Sequence, residues 1–112
     1  MAQSDMVIFN RTFDCLAWLM NMTNHFPRAH RQTLTKRLLD AAFDLRERLE
    51  EANLRRGRNR FSSLQGADEA LARVRLYVRL AHKMKWMTDG QYFHVSSMLV
   101  EIGRLLGGWR KA

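Results

Sequence analysis

Residues 88–112 read TDGQYFHVSSMLVEIGRLLGGWRKA, and the reading of this stretch decides the fold. Thr88 is placed to accept a hydrogen bond from a first-turn N–H. Gln91, three residues on, can reach back to the Thr88 N–H, which completes a capping box. A helix is therefore expected to start here. Val95, Met98, Leu99, Ile102, Leu105, Leu106 and Trp109 follow at three- and four-residue spacing, which puts them on one helical face that needs cover. Gly103 and Gly107 share a side of the same helix, and a glycine inside a helix costs about 1 kcal/mol relative to alanine. Gly107 and Gly108 fit a C-terminal cap. Gly103 lies too far inside for a cap and fits a close backbone approach by another helix.

The same period recurs three times upstream. Leu64, Ala67, Leu71, Val74, Val78 and Ala81 predict a third helix over residues 60–86, with a heptad-like seam suited to shallow crossing angles. Leu34, Leu38, Ala41, Ala42, Leu45, Leu49 and Ala52 predict a second over 33–53, capped by Thr33 or Thr35, its alanines admitting a close neighbour. Two rows, one of Phe9, Phe13, Leu16 and Met20 and one of Ile8, Cys15, Leu19 and Met22, predict a first helix over 6–24. Met1 to Asp5 is expected to be a mobile start, with Ser4 or Asp5 as its cap. Phe26-Pro27 ends the first helix, because proline restrains the residue before it and offers no N–H. With the last helix over 88–109, the expectation is a single domain over 1–112: an all-α, antiparallel up-down-up-down four-helix bundle.

The 112 residues carry 19 Lys and Arg against 11 Asp and Glu, a formal net charge of +8. That balance favours a polyanionic partner without saying which. No apolar run approaches the roughly 18 residues of a membrane span. The chain shows no signal-peptide pattern, and its single cysteine, Cys15, cannot pair within the chain. A reducing cytoplasm, with no membrane partner, is the expected setting. Cys15 falls in an apolar stripe, which suits packing rather than chemistry. His25, His30, His82 and His94 sit in different elements, and none forms an i, i+4 metal pair with another. A phosphate-cradling glycine loop, a Cys-x-x-Cys pair and a nucleophile elbow are all missing from the sequence. The expectation is a protein that is not an enzyme and uses neither cofactor nor metal.

Positive charge concentrates in two places. Arg55, Arg56, Arg58 and Arg60 surround Gly57 in the expected central connection. They either cap the preceding helix as a solvated loop or contact phosphates. Arg75, Arg79 and Lys83, four apart, form one row flanked by Arg73 and Lys85, on a half-helix without an acid after Glu69. The row is either a solvated face or a contact for nucleic acid or an acidic protein. Tyr77, among these arginines, is either a bundle-edge residue or a base-stacking one. Trp18 and Phe43 lie off the core lines, as edge residues or as parts of a second interface.

The run Asp89-Gly90-Gln91-Tyr92, with Glu101-Ile102-Gly103-Arg104-Leu105-Leu106-Gly107-Gly108-Trp109, resembles the C-terminal signature of the Avd family, the accessory variability determinants of diversity-generating retroelements. Phe26-Pro27-Arg28, Leu38–Ala42 and Leu71–Lys85 are similar to the matching parts of that family. They also resemble its wider relatives, the four-helix proteins of intervening sequences in bacterial 23S ribosomal RNA genes. The resemblance covers nearly the whole chain beyond Asp5. It implies a barrel-like homopentamer of four-helix bundles without catalytic activity, which binds the element's reverse transcriptase and supports mutagenic copying of template RNA into cDNA. Under that implication Arg55, Arg56, Arg58, Arg60, Arg73, Arg75, Arg79, Lys83 and Lys85 are the candidate contacts for polymerase or nucleic acid. Trp18, Phe43 and Gly103 are the candidate subunit contacts. The alternative is an RNA-binding bundle of the intervening-sequence type without a polymerase partner.

Overall fold

Each apolar stripe read from the sequence finds a neighbouring stripe in a computed structural model that describes residues 3–112, with side chains from Val7 onward. Met1 and Ala2, part of the expected mobile start, lie outside the described residues. The described chain is all-helical and contains no strand: α1 (Gln3–Thr23), a 3-10 turn (Arg28–His30), a π turn (Arg31–Thr35), α2 (Lys36–Leu54), α3 (Gly57–Lys83) and α4 (Asp89–Lys111). The α2–α3 pair has the most extensive contact, and α1 and α4 close the bundle against α2, α3 and each other. The order around the bundle is thus α1, α2, α3, α4.

The α2–α3 seam is close because it is lined with small side chains. Ala41, Ala42 and Ala52 on α2 and Ala67, Ala70 and Ala81 on α3 are all buried, between fully buried Leu38, Leu49, Leu71 and Val74. Removing a leucine of this size from water stabilises the fold by about 1.5–3 kcal/mol. Val95, Leu99, Ile102 and Leu106 of α4 complete the core, with Ile8, Cys15 and Leu19 from α1. Phe13 and Met20 depart from expectation: both are exposed, because they sit on the flank of α1 rather than its inner line.

The start of α4 matches the sequence reading in both halves. The Gln91 N–H donates to Thr88 Oγ1 at 3.1 Å, and the Thr88 N–H donates to Gln91 Oε1 at 2.8 Å. Its end does not. The helix runs through Gly107 and Gly108 to Lys111, and neither glycine has the positive φ that a left-handed cap requires. A Cβ at either position would meet nothing within 4 Å in this chain.

The other boundaries shift for identifiable reasons. Ser4 and Asp5 lie inside α1, which already begins at Gln3, so neither is its cap. Neither Thr33 nor Thr35 caps α2. The chain passes from 3-10 to π to α geometry without a break, and the Lys36 N–H donates to carbonyls of the π turn, leaving no free donor for a cap. The Thr33 hydroxyl instead donates to the His30 carbonyl at 3.2 Å, and the Thr35 hydroxyl is buried without a partner.

The central connection is only Arg55 and Arg56, both extended, because Gly57 at φ 58° turns the chain directly into α3. Arg60 Nε donates to the Ala52 carbonyl at 2.9 Å and its guanidinium lies 5.9 Å from the Trp109 ring centre, so it caps the C-terminus of α2.

The helix α3 stops at Lys83, three residues before its expected end. Lys85, at φ 65°, takes the left-handed position that glycine usually fills. The Trp86 N–H bonds the Ala81 carbonyl at 3.0 Å and the Lys85 N–H bonds the His82 carbonyl at 2.9 Å, which together form a Schellman cap.

Two substitutions, with Arg58→Gln as the control, test these ends by urea unfolding. Arg60→Gln should lower stability by about 1–2 kcal/mol, whereas Arg58→Gln should stay within about 0.5 kcal/mol of the parent. Lys85→Gly should raise stability by about 1 kcal/mol by relieving the left-handed conformation.

Candidate functional site

The nine cations singled out by sequence do not form one surface. With 27 residues, α3 spans roughly 40 Å at about 1.5 Å per residue, so Arg55–Arg60 and Lys83–Lys85 lie at opposite poles of the bundle. At the first pole, Arg55 is engaged as well as Arg60: its Nη1 donates to Ser63 Oγ at 2.9 Å and lies 3.5 Å from Glu51. Arg56 and Arg58 are exposed and have no carboxylate within 4.0 Å among the described residues.

Between the poles the flanking residue and the row differ. Arg73 reaches across to Asp44 on α2 at 2.8 Å, so it stitches α3 to α2. The Arg75 guanidinium crosses onto α4, lies where a Cβ on Gly103 would stand, and approaches the Leu99 carbonyl at 3.4 Å. The close approach expected at Gly103 is therefore made by a side chain of the same molecule rather than by another backbone. Arg79 borders a groove of about 220 Å³ between α3 and α4, together with Arg75, Tyr92, Ser96 and Val100.

At the second pole, Lys83 and Lys85 are joined by residues that the sequence reading left out of the site. Alternate connections of an antiparallel bundle meet at the same end. Here the connection after α1 brings Arg28, His30 and Arg31 beside the α3–α4 connection, with Arg37 in the first turns of α2. Arg28, Arg31, Arg37, Lys83 and Lys85 are all exposed, and none has an ion-pair partner among the described residues. Three arginines along the helices contrast with them: Arg46, Arg48 and Arg73 each hold a carboxylate. The signal that could have located this pole was the Phe26-Pro27 break read together with up-down topology.

A third feature is apolar. Arg46 of α2 lies over the rings of both Phe9 and Phe13, 5.0 and 5.4 Å from their centres, which places Phe13 on the α1–α2 flank. Phe13 is 62% exposed there, with Met20 on the same face of α1 and Phe43, 39% exposed, on the outer side of α2. On the α3–α4 flank, Phe93 is 72%, Val100 66% and Leu76 50% exposed. The bundle order puts these two flanks on opposite sides. Trp18 is half-buried and packs its ring 5.4 Å from His94 of α4, an edge position.

Groups with reactive potential are held in structural roles. The Cys15 thiol is pushed up to about 12 by burial, which keeps it protonated at neutral pH. His82 Nε2 lies 2.8 Å from Asp89 and its ring stacks on Tyr92 at 4.1 Å, joining the end of α3 to the first turn of α4. Among the described residues no three His, Cys, Asp or Glu side chains gather where they could hold a metal ion, and no helix is long and apolar enough to cross a membrane.

Comparison with known proteins agrees with this architecture. A crystal structure of a protein of unknown function from the S23 ribosomal protein family of Bacteroides thetaiotaomicron is similar in fold. Its TM-score is 0.89 at 17% sequence identity, over 98% of this chain and 100% of that one. No curated protein matches the sequence. The family model described as bAvd-like matches residues 6–112, which is nearly the whole chain: α1 from its second turn and all the elements that follow. The resemblance read from the C-terminal signature is thereby shown, and the chain belongs to the bAvd-like family.

Proposed function

We propose that this protein is a non-catalytic accessory subunit of a diversity-generating retroelement, binding the reverse transcriptase and template RNA in the cytoplasm and supporting mutagenic cDNA synthesis. The observation that carries the reading is the placement of uncompensated charge. Arg46, Arg48 and Arg73 along the helices hold carboxylates, while Arg56 and Arg58 at one pole and Arg28, Arg31, Arg37, Lys83 and Lys85 at the other are exposed without an ion-pair partner among the described residues, an arrangement suited to a rigid body that meets a polyanion at its ends. Membership of the bAvd-like family supplies the retroelement context.

The two apolar flanks support assembly into a ring, with five copies as the family's resemblance implies. They are different surfaces on opposite sides of one chain. A contact between unlike patches is heterologous, and repeated head to tail it closes into a ring. Phe43 borders a groove between α2 and α3 with Arg73 and Tyr77.

The second reading, an RNA-binding bundle without a polymerase, draws on the fold shared with the S23 family protein. Native mass of the chain co-expressed with the reverse transcriptase and template RNA of its own locus separates the two. Five copies per polymerase is the expected result, and a polymerase recovered alone would favour the second reading.

Two variants test the surfaces. Val100→Arg, at a side chain that is exposed in the single chain, should leave helicity unchanged and reduce the native mass to one 13.2 kDa chain. An unchanged oligomer would remove that flank from the interface. Changing Arg75, Arg79 and Lys83 together to glutamine should weaken complex formation and flatten its salt dependence without unfolding the bundle. Unaltered binding would exclude the row.

A further inference from the structure

At the second pole three rings run from the core to the surface. Phe26 is buried, and its ring centre lies 5.4 Å from that of half-buried Trp86. The ring of exposed His30 follows, 5.0 Å from Trp86 and tilted by only 33°. A ring series of this kind inside a core ends against other side chains; this one ends in solvent. It borders a groove of about 420 Å³ that is also lined by Gln32, Arg37, Tyr77 and Met84. That volume falls within the roughly 300–1,000 Å³ of small-molecule sites.

Two polar groups of the groove, on Gln32 and Arg37, are uncommitted. The Gln32 amide, exposed and with no hydrogen-bond partner among the described residues, offers both a donor and an acceptor. Arg37 lines the groove, and Arg28, Arg31, Lys83 and Lys85 stand at the same pole of the bundle, none of the five with a carboxylate partner among the described residues. Open aromatic faces at a basic pole are the recurring chemistry of single-stranded nucleic-acid sites, where bases stack and phosphates meet cations.

We infer that this groove takes an unpaired base of a single-stranded nucleic acid, stacked on the His30–Trp86 pair, with Gln32 at the base edge and Arg37 at an adjoining phosphate. The inference rests on the nucleic-acid part of the proposed function and narrows it to one place. It also separates the poles: Arg56 and Arg58 contribute charge alone, whereas the second pole contributes charge and a stacking platform. The irregular 3-10 and π geometry of residues 28–35 has a use here, since it carries His30 and Gln32 to one groove that a regular helix would present differently.

The test compares two labelled single strands of about ten nucleotides, one of ordinary pyrimidine sequence and one with the same backbone but without bases. Both are titrated against the full chain at the same salt. The strand with bases should bind roughly tenfold more tightly. Changing both His30→Ala and Trp86→Leu should erase that advantage while leaving affinity for the abasic strand unchanged, and Arg37→Gln should weaken both strands alike.

As a check on the unaltered protein, a strand carrying 5-iodouracil should photo-cross-link to His30 or Trp86. This result decides the matter if the double variant fails to fold. Equal binding of the two strands, or cross-links confined to other elements, would overturn the stacking site while leaving the basic poles in place. Failure of both strands to bind would overturn the nucleic-acid reading and the site with it.

Discussion

Close contact between α2 and α3 is the constraint on which the rest of the molecule depends. Alanines on both helices let the two backbones approach, and the leucines and valines between them are sealed from water. This pair forms the broadest contact in the bundle, and α1 and α4 are laid against it. A larger side chain at Ala67 or Ala41 would push the helices apart and loosen every contact that depends on their spacing. The same seam accounts for the two-residue connection between them, because helices this close need little chain to turn from one into the other.

Charge in this protein follows from that packing. Several cations along the helices lie within reach of carboxylates on the next helix or the next turn, and they settle there, as Arg73 does on Asp44 and Arg46 on Glu50. Cations on the connections have fewer such neighbours. Part of the surplus of +8 therefore gathers where the helices end, and Arg75 and Arg79 carry more of it along the α3–α4 groove. Apolar exposure divides in the same way, to the two flanks that the core leaves uncovered. A bundle with charged ends and apolar sides is suited to standing beside its own copies while its ends meet something else.

Most of the fold was legible in the sequence because it rests on repeating signals. All seven residues of the α2 stripe and all six of the α3 seam are buried, and the capping box before α4 needed only Thr88 and Gln91 at the right spacing. What escaped was decided by single residues. Lys85 holds a left-handed cap without being glycine, so α3 ended early with nothing in its composition to announce it. Gly107 and Gly108 suggested a cap that the chain does not use, because their helical geometry continues to Lys111. Phe13 and Met20 share a helical row with Phe9, yet the row curves off the inner line and leaves them outside. The candidate site was legible only as a list of cations. That Arg55, Arg60 and Arg73 serve the fold, while Arg28, Arg31 and Arg37 join Lys83 and Lys85, depends on which ends of the helices meet in space.

The length of α3 also makes the protein a ruler. Its two basic ends are held roughly 40 Å apart by a helix with no proline or break along its course. A polyanion too short to reach from one end to the other gains from one contact only. Once it can bridge the gap, the second contact becomes intramolecular and its effective concentration rises sharply. Strand length alone then becomes a basis for discrimination, independent of sequence, and ring assembly would repeat the same fixed interval around the circumference.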